Sequence, residues 1–68
     1  MELSARNQLQ GTVKSVTLGT IMAEVVVDLD GQDIVSAITR GSAERLGLVP
    51  GTKVTVVVKA TEVMLATG

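Results

Sequence analysis

The chain has 68 residues, of which 46% are hydrophobic and none is aromatic; it contains no Cys and no His, and its formal net charge is −1. The missing Cys and His exclude disulfides, the commonest zinc ligands, and Ser–His or Cys–His nucleophilic catalysis. A near-neutral charge without aromatic residues counts against a nucleic-acid partner, which needs clustered Lys and Arg for phosphates and ring faces for bases.

Asn7 to Leu18 is expected to form a long first strand, bulged or bent where Gly11 sits and where the apolar phase changes between Val13 and Val16. From Ile21 to Leu29 the odd positions Ile21, Ala23, Val25, Val27 and Leu29 are all apolar, and Glu24 and Asp28 fall between them. That alternation predicts a second strand with one face in a core. Asp30-Gly31 suits a type I′ hairpin, in which both central residues need φ > 0. A third strand is expected from Asp33 to Thr39, a fourth from Val54 to Lys59 and a short fifth from Glu62 to Ala66. Between the third and fourth, Ser42 is placed as the N-cap of a short helix, with Glu44 at its positive end and Gly47 as its stop. Val49-Pro50-Gly51-Thr52 has the residues of a type II turn. Five short strands with a helix between the third and fourth follow the order of an OB-type barrel, an all-β fold. No linker or repeat divides the chain, so a single domain over 1–68 is expected.

So small a domain buries only about 60% of its unfolded surface. This much aliphatic surface without a covalent staple implies cover from other copies, and a homo-oligomer is expected. Met1-Glu2-Leu3-Ser4 lacks the basic and apolar regions of a secretory leader, and no apolar run approaches the roughly 20 residues that span a bilayer. A cytoplasmic protein without a membrane partner is expected.

Asp28, Asp30 and Asp33 surround Gly31, but they lack the spacing of a calcium loop and suit a solvated turn. Gly47 and Gly51 serve a helix stop and a turn rather than a phosphate loop. No Lys or carboxylate pair is marked out by spacing, so no enzymatic activity, cofactor or protein-ligated metal is expected. What remains is a set of hydrogen-bond donors: Ser4 and Arg6 before the first strand, Thr39 and Ser42 around the helix start, and Lys59 at the end of the fourth strand. An oxyanion only accepts hydrogen bonds at neutral pH, so its site combines hydroxyls, backbone N–H groups and fixed positive charges. Each of these residues also has an ordinary role as a cap, a strand end or a surface charge. The residues alone therefore lead to a small oligomeric β-barrel whose donors suit an anion.

Ser4-Ala5-Arg6-Asn7-Gln8-Leu9 resembles the opening of the molbindin (Mop, or TOBE-type) domain family. The likeness continues through Gly19-Thr20-Ile21-Met22-Ala23-Glu24-Val25, Ser36-Ala37-Ile38-Thr39, Ser42 and Leu46-Gly47-Leu48. It ends with Pro50-Gly51, Val54 and Lys59-Ala60-Thr61-Glu62-Val63-Met64, and so covers almost the whole chain. The resemblance implies a five-stranded OB-like barrel whose N-terminal strand is exchanged between subunits. It also implies a hexamer built as a trimer of dimers that stores molybdate or tungstate at subunit interfaces. Carried over residue by residue, Ser4, Ala5 and Arg6 would come from one subunit, and Thr39, Ser42, Lys59 and Ala60 from a neighbour. Where related domains often carry Ser directly after the Lys, this chain has Ala60. Two rival functions stand beside this one: an OB-type nucleic-acid module, and a structural assembly protein whose donors only pin an interface.

Overall fold

Four antiparallel strands form one open sheet in the computed structural model, which describes residues 2–68. The strands are β1 (Asn7–Leu18), β2 (Met22–Leu29), β3 (Gln32–Thr39) and β4 (Lys53–Val58), and a six-residue helix α1 (Arg40–Arg45) lies between β3 and β4. Their order across the sheet is β3-β2-β1-β4, so β3 and β4 are its two edges. Among the described residues no helix is long and apolar enough to cross a membrane.

β1 changes partner along its length. Its first half pairs with β4, from Asn7↔Val58 to Thr12↔Lys53, and its second half pairs with β2, from Thr12↔Asp28 to Leu18↔Ala23. The changeover carries the expected irregularity. Val13 faces Val27 while Ser15 faces Val26, which leaves Lys14 as the extra residue of a bulge. Lys14 Nζ then reaches Asp33 Oδ2 on β3 at 3.1 Å. Two polar cross-strand contacts fix the β1–β4 register on the outer face: Gln10 Nε2 donates to Thr55 Oγ1 at 3.2 Å, and Lys53 Nζ to Thr12 Oγ1 at 2.9 Å.

The turns follow the local sequence. Asp30 (φ 54°) and Gly31 (φ 95°) both lie in the left-handed region, as a type I′ hairpin between β2 and β3 requires. Asp28 Oδ1 accepts from Gly31 N at 2.9 Å and stiffens that turn. Pro50-Gly51 turns the chain into β4, closed by Thr52 N donating to Val49 O at 3.0 Å. The Gly19-Thr20-Ile21 connection departs from expectation. Ile21 lies outside β2 and is 73% exposed, because the turn closes through Gly19 N to Met22 O at 2.7 Å.

The helix start also differs from the sequence reading. Thr39, still extended at φ −69° and ψ 149°, is the N-cap, and its Oγ1 accepts from Ser42 N at 3.1 Å. Ser42 is thus the third helical residue rather than the cap. Glu44 is not in the first turn but ion-pairs with Arg40 one turn back, at 3.5 Å. The helix end is as expected: Gly47 N donates to Glu44 O and Leu48 N to Ala43 O, both at 3.1 Å, the Schellman pattern that the positive φ of Gly47 permits.

The buried apolar side chains among the described residues are Val13, Ala23, Val25, Val27 and Ala43. Val16, Leu29, Ile34, Ile38, Leu48, Val54 and Val56 pack around them, each only partly covered. Among the described residues no fifth strand forms. Ala60–Glu62 is a single 3-10 turn, and Glu62 to Ala66 pairs with no strand of its own chain. The sheet therefore stays open where the sequence order implied a closed barrel.

A Cβ added at Gly11 would stand 2.6 Å from Val27 Cγ1, 2.7 Å from Leu29 Cδ2 and 3.0 Å from Asp28 O. Gly11→Ala is therefore expected to destabilise the fold by about 1–3 kcal/mol through overpacking, read as a lower urea midpoint. Thr39→Ala removes the helix cap and should cost about 1 kcal/mol in the same experiment, with Thr39→Ser restoring most of it.

Candidate functional site

Arg6 and Lys59 are neighbours because β1 and β4 run antiparallel. The register pairs Asn7 with Val58, so the residues just before β1 and just after β4 meet at that end of the sheet, and Arg6 and Lys59 line one cleft there. On the β4 side the chain then turns: Glu62 N donates to Lys59 O at 2.9 Å and Val63 N to Ala60 O at 3.3 Å. On the β1 side Gln8 Nε2 donates to Ala5 O at 2.9 Å and holds the incoming segment against the strand. An open cleft of about 620 Å³ results, lined by Ser4, Ala5, Arg6, Val57, Lys59, Ala60 and Thr61.

The electrostatics of this cleft are one-sided. The ion pairs among the described residues are Lys14–Asp33 and Arg40–Glu44, so neither Arg6 nor Lys59 meets a carboxylate there. No acidic residue lines the cleft, and Ser4 and Thr61 bring hydroxyls to it. Two cations without a counter-charge beside hydroxyl donors form a surface that an oxyanion complements and a metal cation does not. The cleft is far larger than one tetrahedral oxyanion and open on one side, so a further surface is needed to enclose one.

Thr39 and Ser42 lie elsewhere, at the end of β3 on the opposite edge of the sheet. They form a small network of their own. Thr39 Oγ1 donates to Ser42 Oγ at 2.8 Å, and Arg45 Nη2 approaches the same oxygen at 3.4 Å. Two donors thus share Ser42 Oγ as an acceptor. The structure thus gathers Ser4, Ala5, Arg6, Lys59 and Ala60 within one chain, where the sequence reading divided them between two subunits. It does not bring Thr39 or Ser42 to them. Val57 and Thr61 also line the cleft, and Arg45 lies beside Ser42, none of which the sequence reading singled out. Thr61 follows Lys59 by two positions and Arg45 stands three after Ser42 on the helix, so both were open to simple spacing arguments.

The acidic residues around Gly31 are otherwise engaged: Asp28 accepts from Gly31 N, and Asp33 pairs with Lys14. Among the described residues no group of three or more His, Cys, Asp or Glu converges in a way that could hold a metal ion.

The TOBE domain model matches residues 3–65. Molybdenum-pterin-binding protein 3 of Clostridium pasteurianum is 47% identical over 66 residues, spanning 96% of this chain and 97% of that protein. The structure of a molybdate-binding protein from Sporomusa ovata superposes with a TM-score of 0.94 at 49% identity, covering 98% of this chain and all of that one. The cytoplasmic molybdate-binding protein ModG, solved with molybdate bound, gives a TM-score of 0.83 at 44% identity, covering 88% of this chain and 43% of that chain. With a match along nearly its whole length and relatives close to half identical over comparable spans, the chain belongs to the TOBE domain family, as a molbindin-type member.

Proposed function

We propose that this protein binds molybdate or tungstate as the intact oxyanion and stores it, using the cleft at the β1–β4 end. The observation that carries this is the pairing of Arg6 with Lys59, uncompensated by any carboxylate and flanked by hydroxyls, in a chain whose relatives are named for molybdenum or molybdate binding. In this reading Arg6 and Lys59 supply fixed charge, Ser4 a hydroxyl, and the backbone N–H groups at Ala5 and Ala60 further donors. Discrimination against the smaller sulfate rests on cavity size and donor placement.

The open side of the cleft is closed by other copies. β3 and β4 each leave one edge unpaired, and between them opens an apolar groove lined in part by Ile34, Ile38, Leu48, Val54 and Val56. Beyond the 3-10 turn, Met64 and Leu65 are 91% and 92% exposed. A strand at Glu62–Ala66 from a second copy fits that gap and completes a five-stranded barrel. β1 keeps both its partners within one chain, so this geometry favours exchange of the C-terminal strand over the N-terminal exchange that the resemblance implied. Such crossing also gives a route for Thr39 and Ser42 of one copy to approach the cleft of another. The hexamer of three dimers is the assembly expected.

Titration calorimetry with molybdate, tungstate and sulfate tests the ligand; heat with the first two is expected, and silence from all three would refute the proposal. Lys59→Ala removes a charge-assisted contact and should weaken molybdate binding about 10- to 100-fold while the circular dichroism spectrum stays unchanged. Ending the chain after Glu62 should lower the mass read by light scattering; an unchanged mass would argue against C-terminal exchange.

A further inference from the structure

We infer that Thr61 is a ligand-contacting residue of the cleft, its hydroxyl supplying the donor that Ala60 lacks. The inference rests on the oxyanion proposal above and goes beyond the residues assigned there. Side chains with polar hydrogens on the cleft lining are confined to Ser4, Arg6, Lys59 and Thr61. The other lining side chains, Ala5, Val57 and Ala60, end in methyl groups.

A tetrahedral oxyanion presents four acceptor oxygens. Arg6, Lys59 and Ser4 supply side-chain donors to them, and Thr61 is the one further side-chain donor on the same lining. Its hydroxyl makes no hydrogen bond among the described residues; Thr17 and Thr20 share that freedom, but of the three only Thr61 lines the cleft. It is therefore free to turn to a ligand without breaking a structural contact. Being β-branched, Thr61 has few rotamers, so little entropy is lost in aiming its hydroxyl. Its position in the Ala60–Glu62 turn, directly after the strand end that places Lys59, ties its location to that of the cation.

The test compares wild type, Thr61→Val and Thr61→Ser by molybdate calorimetry on the assembled protein, with light scattering and thermal melting as controls. Thr61→Val keeps the shape and loses only the hydroxyl. It should bind molybdate about tenfold more weakly with unchanged mass and melting, while Thr61→Ser stays close to wild type. Wild-type affinity in Thr61→Val, or equal losses in Val and Ser variants, would overturn the role of Thr61 and leave the oxyanion proposal standing. A wild type that binds no molybdate would instead overturn both.

Discussion

β1 has to serve two neighbours in succession, and most of the molecule follows from how it does so. The strand can leave β4 for β2 only if nothing protrudes where it crosses the sheet. At Gly11 the side chains of Val27 and Leu29 occupy the space a Cβ would need. Three residues later the Lys14 bulge adds local twist, which turns the second half of the strand toward β2. The same crossing decides where the chemistry lies. Because the first half of β1 belongs to β4, the residues before Asn7 must run beside those after Val58. A local demand for close packing thus sets two cations side by side at one end of the sheet.

The remainder of the fold is thinly supported by one chain. Its fully covered core consists of valine and alanine, small side chains that each bury modest apolar area. The helix closes one end through Ala43 and a tightly bonded stop, but it leaves the β3 and β4 edges exposed. Exposed edges beside an apolar groove are an aggregation hazard that proteins resolve by covering them. If that cover comes from a second copy, ligand and assembly become linked. An anion that binds only the assembled form stabilises it by RT ln(1 + [L]/Kd), about 2.7 kcal/mol at a hundredfold excess over Kd.

Local features were well written in the sequence. The alternation in β2, the Asp30-Gly31 hairpin, the Pro50-Gly51 turn and the Gly47 stop each depend on a few adjacent residues, and each appears in the structure. The helix cap was ambiguous because Thr39 and Ser42 are both good caps. The backbone decides for Thr39, which is still in strand conformation when its oxygen meets Ser42 N. The fifth strand was expected from composition, yet pairing depends on what lies beside a segment, and within one chain nothing does. The neighbourhood of Arg6 and Lys59 was the least legible feature. It depends on a register between strands far apart in sequence, fixed by contacts such as Gln10–Thr55 that no local pattern announces.

The placement of Arg6 beside Lys59 has a mechanical side. Like charges brought close together without a counter-charge repel. Arg6 and Lys59 line one cleft just beyond the last β1–β4 pair, and no carboxylate is on that lining. If the proposed anion lodges between the two side chains, attraction replaces that repulsion and ties the strand ends beyond the last peptide hydrogen bond. Ligand occupancy and the fastening of that end of the sheet would then be a single event.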